Sequence, residues 1–584
     1  MASLEQLVHE WLQLDKDEKS RAEIKDLWEA GNTDELERRM RPRIAFGTAG
    51  LRAKMEAGWS RMNDLIVLQT TQGLCAYVLS MVPSATVRGV VIGHDHRHNS
   101  ARWAKLAAMV FLNRGFKTYL LQGLVHTPMV PFSVNRLAAS CGIMITASHN
   151  PKQDNGYKVY WENAIISPHD EGISDAIRAN LVPSVLDTNI LASPLLEDKT
   201  EEMNDAYFSS LAKLNIYRSI NETCKVKFVN TSLHGVGDRF VREAFITFGF
   251  PPYIPVKSQQ QPDPDFPTVH FPNPEEKGAL DCAIRTANEE GACYILAQDP
   301  DADRFAAAEK NDDGTWTIFT GDQIGAMFAA YIMDNYRSSG KAMDKLAMVA
   351  STVSSRMIEV MSVAEGFVFR DCLTGFKYIG NTALDLAGDG FEVLFGYEEA
   401  IGYMIGSEIR DKDGVSASVF FAQMIAVLHN QGKTAKSFLL ELYERYGFFK
   451  TSNSYFICRD PDIIDTIFKR LRNYKGSFPS YPEEIGGLRI TRIVDLTVGY
   501  DSGNPPSYKP RLPLSSGNMV QFHAENEHQL HIALTIRTSG TEPKIKYYLE
   551  GNGRDRQAMA ELLPRIVEHL ADRRPTEPDN AYNL

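Results

Sequence analysis

The chain has 584 residues, of which 43% are hydrophobic and 23% charged, with a formal net charge of −12. At roughly 150 residues per domain, this length predicts about four domains, and the ordinary globular composition excludes a mostly disordered, collagen-like or coiled-coil chain. The acidic balance argues against a general nucleic-acid or anionic-membrane binder, but it leaves room for small anions held by local cations.

The first 20 residues, MASLEQLVHEWLQLDKDEKS, lack the basic start and apolar stretch of a signal peptide. Leu4, Leu7, Val8, Trp11 and Leu12 instead share one face at helical spacing, which predicts an opening helix packed on a core. No apolar run approaches the roughly 18 residues of a membrane span. The seven cysteines are scattered without a CxxC pair, so neither a disulfide framework nor a cysteine zinc site is expected. The expectation is a soluble, cytoplasmic protein that binds neither nucleic acid nor membrane.

Further along, an arrangement recurs three times. An apolar run ends in a polar turn at 90–100 (VVIGHDHRHNS), 226–237 (VKFVNTSLHGVG) and 346–356 (LAMVASTVSSR). Some tens of residues later a second apolar run ends in a polar loop, at 142–152 (GIMITASHNPK), 293–304 (CYILAQDPDADR) and 392–403 (EVLFGYEEAIGY). Short apolar runs separated by helical stretches predict buried strands of parallel α/β units. Ligands bind at the carboxyl ends of such strands. The segment 521–550 reads as strand, turn, strand, loop, strand, followed by a helix from about Gln557 to Asp572. The predicted fold class is therefore α/β: three similar α/β domains with mixed, largely parallel sheets, plus a C-terminal α+β domain. The boundaries expected are 1–205, 206–324, 325–447 and 448–584. The proline-rich stretches 251–274 and 505–513 are expected to be surface loops, because proline removes donors and cannot occupy a central strand.

Four loops carry chemistry. In Thr146-Ala-Ser148-His149-Asn150-Pro151-Lys152 a serine follows a buried strand, beside a histidine and a lysine. It offers either an activated hydroxyl or a helix N-cap, and no GxSxG elbow surrounds it. In Asp299-Pro-Asp301-Ala-Asp303-Arg304 three carboxylates alternate, and in extended backbone alternate residues share a face. Hard oxygen ligands favour Mg²⁺ or Ca²⁺, while an EF-hand fails because Arg304 and Lys310 stand where Gly and Glu are needed. A solvated acidic turn is the alternative, and the apolar strand in front of it favours the metal. The third loop, Gly396-Tyr-Glu398-Glu399-Ala400-Ile-Gly402, offers acids to sugar hydroxyls, and Lys412 follows in a charged loop. In the fourth, Arg537-Thr-Ser539-Gly540-Thr541, an arginine, hydroxyls and a glycine between strands make an anion cradle. Two partial matches fail: Gly432-Lys433-Thr434 lacks the first P-loop glycine, and Gly235-Val-Gly237 lacks the third glycine of a dinucleotide fingerprint.

Together these loops resemble the α-D-phosphohexomutase superfamily, whose signatures are TASHNP, DPDADR, a GxEES-like sugar loop and RxSGT. The segments Phe46-Gly-Thr-Ala-Gly50-Leu-Arg52, Gly93-His-Asp-His-Arg97 and Leu373-Thr374-Gly375-Phe-Lys377 match as well, in order along nearly the whole chain. The resemblance is greatest to the eukaryotic phosphoglucomutase-2/phosphopentomutase branch. It implies four domains around a central cleft. It also implies a mutase that moves a phosphoryl group through phosphoserine and a sugar bisphosphate, converting ribose 1-phosphate to ribose 5-phosphate and glucose 1-phosphate to glucose 6-phosphate. Ser148 would carry the phosphoryl group. Asp299, Asp301 and Asp303, with a phosphoserine oxygen on Ser148, would hold Mg²⁺. Arg304, Thr374, Lys377 and Glu398 would contact the sugar or its phosphate. Arg52, His149, Lys158 and Lys412 would stabilise charge or move protons, and Arg537, Ser539, Gly540 and Thr541 would hold the non-reacting phosphate. The implied activator is glucose 1,6-bisphosphate or ribose 1,5-bisphosphate. Ala400 departs from the family's Glu-x-Ser, which removes a hydroxyl contact and points toward a pentose. The alternatives are a glucose 1,6-bisphosphate synthase and a catalytically silent phosphosugar-binding protein.

Overall fold

The computed structural model describes residues 2–47, 50–161, 169–458, 460–476, 478–539 and 544–571. The chain divides into two compact units, one formed by residues 1–349 and 375–435, the other by 350–374 and 436–584.

The first unit opens with the helix Leu4–Leu14, whose start is fixed by a reciprocal capping box between Ser3 and Gln6. Val8 and Trp11 are buried, and Leu4, Leu7 and Leu12 pack partly buried against the same core. A six-stranded sheet follows, built from β1 (Leu51–Lys54), β2 (Val90–His94), β3 (Thr118–Leu120), β4 (Cys141–Ile145), β5 (Asp154–Tyr160) and β6 (Leu196–Glu197), in the order β1-β5-β4-β2-β3-β6. β4, β2, β3 and β6 run parallel, while β5 and β1 are antiparallel additions at one edge. All five residues of β4 are buried, as expected for a strand covered on both faces.

The second sheet has the order β11-β10-β9-β7-β8, with β7 (Phe228–Thr231), β8 (Ile254–Pro255), β9 (Tyr294–Gln298), β10 (Phe305–Lys310) and β11 (Trp316–Ile318). β7, β8 and β9 are parallel, and β10 and β11 are antiparallel. A hairpin of β12 (Glu392–Glu398) and β13 (Gly402–Ile405) leads to the helix Gly414–Asn430, which is buried along almost its entire length. Asp413 caps that helix by accepting from the amides of Val415 and Ser416.

The proline-rich stretch 251–274 runs mostly as a surface loop, as the sequence predicts, with two departures. It supplies the edge strand β8 and buries Tyr253, Val256, Gln259 and Phe266. Proline is compatible with β8 because an edge strand leaves one side of its backbone unpaired.

The second unit holds an antiparallel sheet. Its main path runs β14-β21-β20-β19-β17-β16, with β14 (Phe448–Thr451), β15 (Ser454–Ile457), β16 (Glu484–Ile485), β17 (Leu488–Asp495), β18 (Tyr500–Asp501), β19 (Met519–Glu525), β20 (His531–Thr538) and β21 (Lys544–Gly553). β15 pairs with β21, and β18 with β17. The helix Arg556–Ala571 packs Met559, Leu562, Leu563 and Ile566 into its core, close to the span read from the sequence. No helix among the described residues is long and apolar enough to cross a membrane. All seven cysteines are unpaired.

Candidate active site

The serine loop leaves β4 at Ile145 and turns directly into β5, so no helix follows for Ser148 to cap. Ser148 is buried and holds φ at +53°, a left-handed conformation that few non-glycine residues adopt. Its amide donates to Thr146 Oγ1 at 2.9 Å. Its Oγ donates to Asp299 Oδ2 at 2.6 Å and lies 3.3 Å from His149 Nδ1. Arg52, on β1, reaches the loop by donating to Asn150 Oδ1 at 2.9 Å. Burial, reinforced by the nearby charges of Arg304 and Arg52, holds His149 well below the usual imidazole range and therefore neutral.

Asp299, Asp301 and Asp303 are all buried just beyond the carboxyl end of β9. The backbone there is not the extended stretch expected. It is a tight turn in which Ala302 takes φ +53° and its amide donates to Asp299 O at 2.9 Å. The turn, rather than strand alternation, brings one oxygen of each carboxylate within 4.8 Å of the others. Asp301 Oδ1 and Asp303 Oδ1 are buried and accept no hydrogen bond from the described residues. Leaving two such oxygens unsatisfied is costly, and a hard divalent cation would satisfy both. The donor set therefore fits a metal site.

Cations surround the remaining oxygens. Lys158 Nζ, from β5, donates to Asp301 Oδ2 at 2.7 Å and to Asp303 Oδ2 at 2.8 Å. Lys412 Nζ lies 3.4 Å from Asp303 Oδ2. Burial pulls both lysines down, but the carboxylates outweigh it, so both stay protonated above their ordinary range. For Asp299 burial and the charges of Asp301 and Asp303 push upward; for Asp301 burial is overcome, chiefly by Lys158, and the group stays ionised.

Glu398 ends β12 and is buried, and burial raises it despite the opposing charge of Lys412. Gly402 permits this packing, since a Cβ there would lie 2.9 Å from Lys412 Cδ and 3.2 Å from Glu398 Cγ. At Gly414 a Cβ would lie 2.2 Å from Arg304 O, and its amide donates to Ala302 O at 3.1 Å. Glycine at that position lets the central helix abut the aspartate turn. The amide of Arg304 donates to Asp299 Oδ1 at 3.1 Å. Burial pulls Lys377 below its ordinary range, against the pull of Asp170, to whose Oδ2 it donates at 3.5 Å.

The first unit thus gathers Arg52, Ser148, His149, Lys158, Asp299, Asp301, Asp303, Arg304, Glu398 and Lys412 on adjoining strand ends. Thr374 belongs to the second unit, where its hydroxyl is buried without a hydrogen-bond partner among the described residues. Arg537 also lies there, at the end of β20, donating to the Tyr548 hydroxyl at 3.1 Å. The amide of Ser539 donates to Lys544 O at 2.9 Å. Gly540 and Thr541 lie outside the described residues.

Sequence reasoning missed two residues. Thr127 donates its hydroxyl to Asp301 Oδ2 at 2.5 Å and its amide to Asp301 O at 2.9 Å. Asp170 accepts from Lys377. Neither sits in a composition or spacing pattern that marks it.

A buried serine hydroxyl held on an aspartate triad and ringed by cations is an arrangement that can support phosphoryl transfer. The chain matches the phosphoglucomutase/phosphomannomutase α/β/α domain I over residues 43–182, domain II over 205–314 and domain III over 320–446. It is 46% identical to a protein named probable phosphoribomutase from Schizosaccharomyces pombe, covering 94% of each chain. It is 42% identical to a glucose 1,6-bisphosphate synthase of Homo sapiens, covering 97% of this chain and 93% of that one. A crystal structure of a putative phosphomannomutase from Thermus thermophilus shares the fold at a TM-score of 0.65 and 20% identity, covering 91% of this chain and 99% of that chain. The chain belongs to the phosphoglucomutase/phosphomannomutase family, within the α-D-phosphohexomutases. It is a phosphosugar mutase with three α/β/α domains and a further C-terminal domain.

Proposed function

We propose that the chain interconverts ribose 1-phosphate and ribose 5-phosphate, and glucose 1-phosphate and glucose 6-phosphate, through a phosphoserine at Ser148. The observation that carries this reading is the Ser148 hydroxyl bonded at 2.6 Å to Asp299, next to two buried carboxylate oxygens without donors.

In the working form Ser148 carries a phosphoryl group. A substrate hydroxyl attacks that phosphorus, the bond to Ser148 Oγ breaks, and a sugar bisphosphate results. After the bisphosphate reorients, Ser148 Oγ attacks its other phosphoryl group and is rephosphorylated, releasing the isomeric monophosphate. No phosphoryl group is gained or lost overall. Glucose 1,6-bisphosphate or ribose 1,5-bisphosphate would load the serine initially. Asp299, Asp301, Asp303 and an oxygen on phosphorylated Ser148 would hold Mg²⁺, which supplies charge stabilisation to the transferring group. Arg52, Lys158 and Lys412 add fixed positive charge around it. Neutral His149, within reach of Ser148 Oγ, can accept or return a proton there. Arg304, Thr374, Lys377 and Glu398 contact the sugar or its phosphate. Arg537, Ser539, Gly540 and Thr541 hold the phosphate that is not reacting. The reducing cytoplasm suits seven unpaired cysteines.

Ala400 supports a pentose preference, because the sugar loop offers a methyl where the family offers a hydroxyl. The test is kcat/KM for ribose 1-phosphate and glucose 1-phosphate, side by side, with Mg²⁺ and the matching bisphosphate. A higher value for ribose 1-phosphate supports the reading, and a higher value for glucose 1-phosphate refutes the Ala400 argument. The 42% identity to a glucose 1,6-bisphosphate synthase favours one second reading. Bisphosphate formation from glucose 1-phosphate and 1,3-bisphosphoglycerate, faster than either mutase reaction, would establish it.

A further inference from the structure

The turn after β2 carries Arg97, whose side chain is wholly buried, as is that of Asp95 beside it. Its four terminal N–H groups are all used, and all on one loop. Nη1 donates to Pro151 O at 2.9 Å and Asp154 O at 3.0 Å. Nη2 donates to Ser148 O at 2.5 Å and Asn150 O at 2.6 Å. One guanidinium therefore satisfies four carbonyls of the segment 148–154, which otherwise has little regular pairing. Only the planar fork of arginine presents that many donors in fixed directions; an ammonium has three, on a flexible stem. The bond to Ser148 O falls on the residue whose backbone is left-handed.

A second element covers this guanidinium. The Phe266 ring lies 5.0 Å from it and meets His96 edge-on at 5.3 Å. Phe266 comes from the proline-rich stretch of the second sheet's domain and is 3% exposed. That stretch is itself anchored. Buried Gln259 accepts from Thr231 Oγ1 at 2.7 Å, at the end of β7, and donates to Thr268 Oγ1 at 2.8 Å. The neighbouring Asp265 accepts from Lys152, on the serine loop, at 3.2 Å.

We propose that Arg97 and Phe266 are positioning residues that together lock the serine loop: Arg97 sets its shape, and Phe266, from the other domain, keeps water off the guanidinium. The charge-assisted bonds to four carbonyls are strong only while they stay dry. The proline-rich stretch thereby links the domain carrying the aspartates to the domain carrying the serine. The consequence for chemistry rests on the mutase reading above; the consequence for the loop does not.

The experiment combines hydrogen exchange, followed by mass spectrometry, with steady-state kinetics on the full chain, for Arg97→Lys and Phe266→Leu. Exchange of the amides over 146–154 should rise at least about tenfold in both variants, with the opening helix and the C-terminal sheet unchanged. With glucose 1-phosphate, kcat should fall by roughly 100-fold for Arg97→Lys, the scale of a misplaced reacting group, and several-fold for Phe266→Leu, with KM within about threefold of the parent. Unchanged exchange in the loop, or wild-type kcat in Arg97→Lys, would overturn the proposal. If Arg97→Lys fails to fold, Phe266→Leu decides on the same two readouts. A parent protein without mutase activity would refute the functional reading, while loop exchange would still decide this one.

Discussion

The two units surround their cations differently. In the first, Lys158 bridges Asp301 and Asp303, Lys412 stands by Asp303 and Ser148 donates to Asp299, while Asp301 Oδ1 and Asp303 Oδ1 accept nothing from the described residues. In the second, buried Arg472 is matched to Asp495 at 2.6 Å, but Arg537 spends its hydrogen bonds, among the described residues, on the neutral phenol of Tyr548. Glu550 there is buried, accepts from the Arg356 amide at 3.0 Å, and leaves Oε2 without a donor. A matched cluster is built for charge that moves during a reaction, whereas a cation on a neutral partner keeps its charge for an incoming anion. On the proposed reading, the first unit carries the reacting groups with part of the sugar contact, and Arg537 in the second is left for the phosphate that does not react.

Four substitutions test that contrast. Asp301→Asn removes the carboxylate that Lys158, Thr127 and the metal would share. The account expects kcat to fall by at least about 10³-fold, with Mg²⁺ activation lost; a Mg²⁺ titration of initial rate checks it. Arg537→Ala should act mainly on binding, weakening a phosphosugar by roughly 2–5 kcal/mol while reducing kcat less. Calorimetry with glucose 6-phosphate reads this directly, and unchanged affinity would contradict that role for Arg537.

Glu550→Gln tests the unmatched carboxyl. Burial pushes Glu550 up to about 7, above the ordinary 4.5. The folded chain therefore binds more protons than the unfolded one between those values, and this group's contribution to stability falls as pH rises through that window. The span corresponds to roughly 3 kcal/mol. Melting temperature followed from pH 4.5 to 7.5 should lose part of its downward slope in the variant, and an unaltered slope would remove Glu550 from the account. Thr127→Val is the mildest change. It deletes a hydroxyl that orients Asp301 without touching substrate, and should weaken Mg²⁺ by about tenfold, at the low end for a ligand-supporting group. Rates at saturating Mg²⁺ should recover most of the loss.

Much of this architecture is readable in the amino-acid order. The opening helix, the strands before the serine and aspartate loops, and the last helix declare themselves through apolar period and length. The carboxylate spacing announces a metal site, but for the wrong geometric reason, since a turn with Ala302 at positive φ replaces the extended backbone. The few buried residues of the proline-rich stretch escape the sequence because proline content reports lost donors, not burial, and Phe266 is buried by a tertiary contact with Arg97. Thr127 escapes notice because its partner lies 174 residues away and a lone threonine before a proline has no signature. Arg97 is visible as part of a family-like segment, yet its work is done on backbone carbonyls, which no side-chain pattern encodes.

The account stands or falls on Ser148. The direct measurement is peptide mapping by mass spectrometry after incubation with glucose 1,6-bisphosphate and Mg²⁺, for the parent and for Ser148→Ala, with mutase rates measured on the same samples. The account predicts one phosphoryl group per chain, located on Ser148, and the loss of both label and turnover in the variant. Label on another residue, or near-parental turnover in Ser148→Ala, would contradict it.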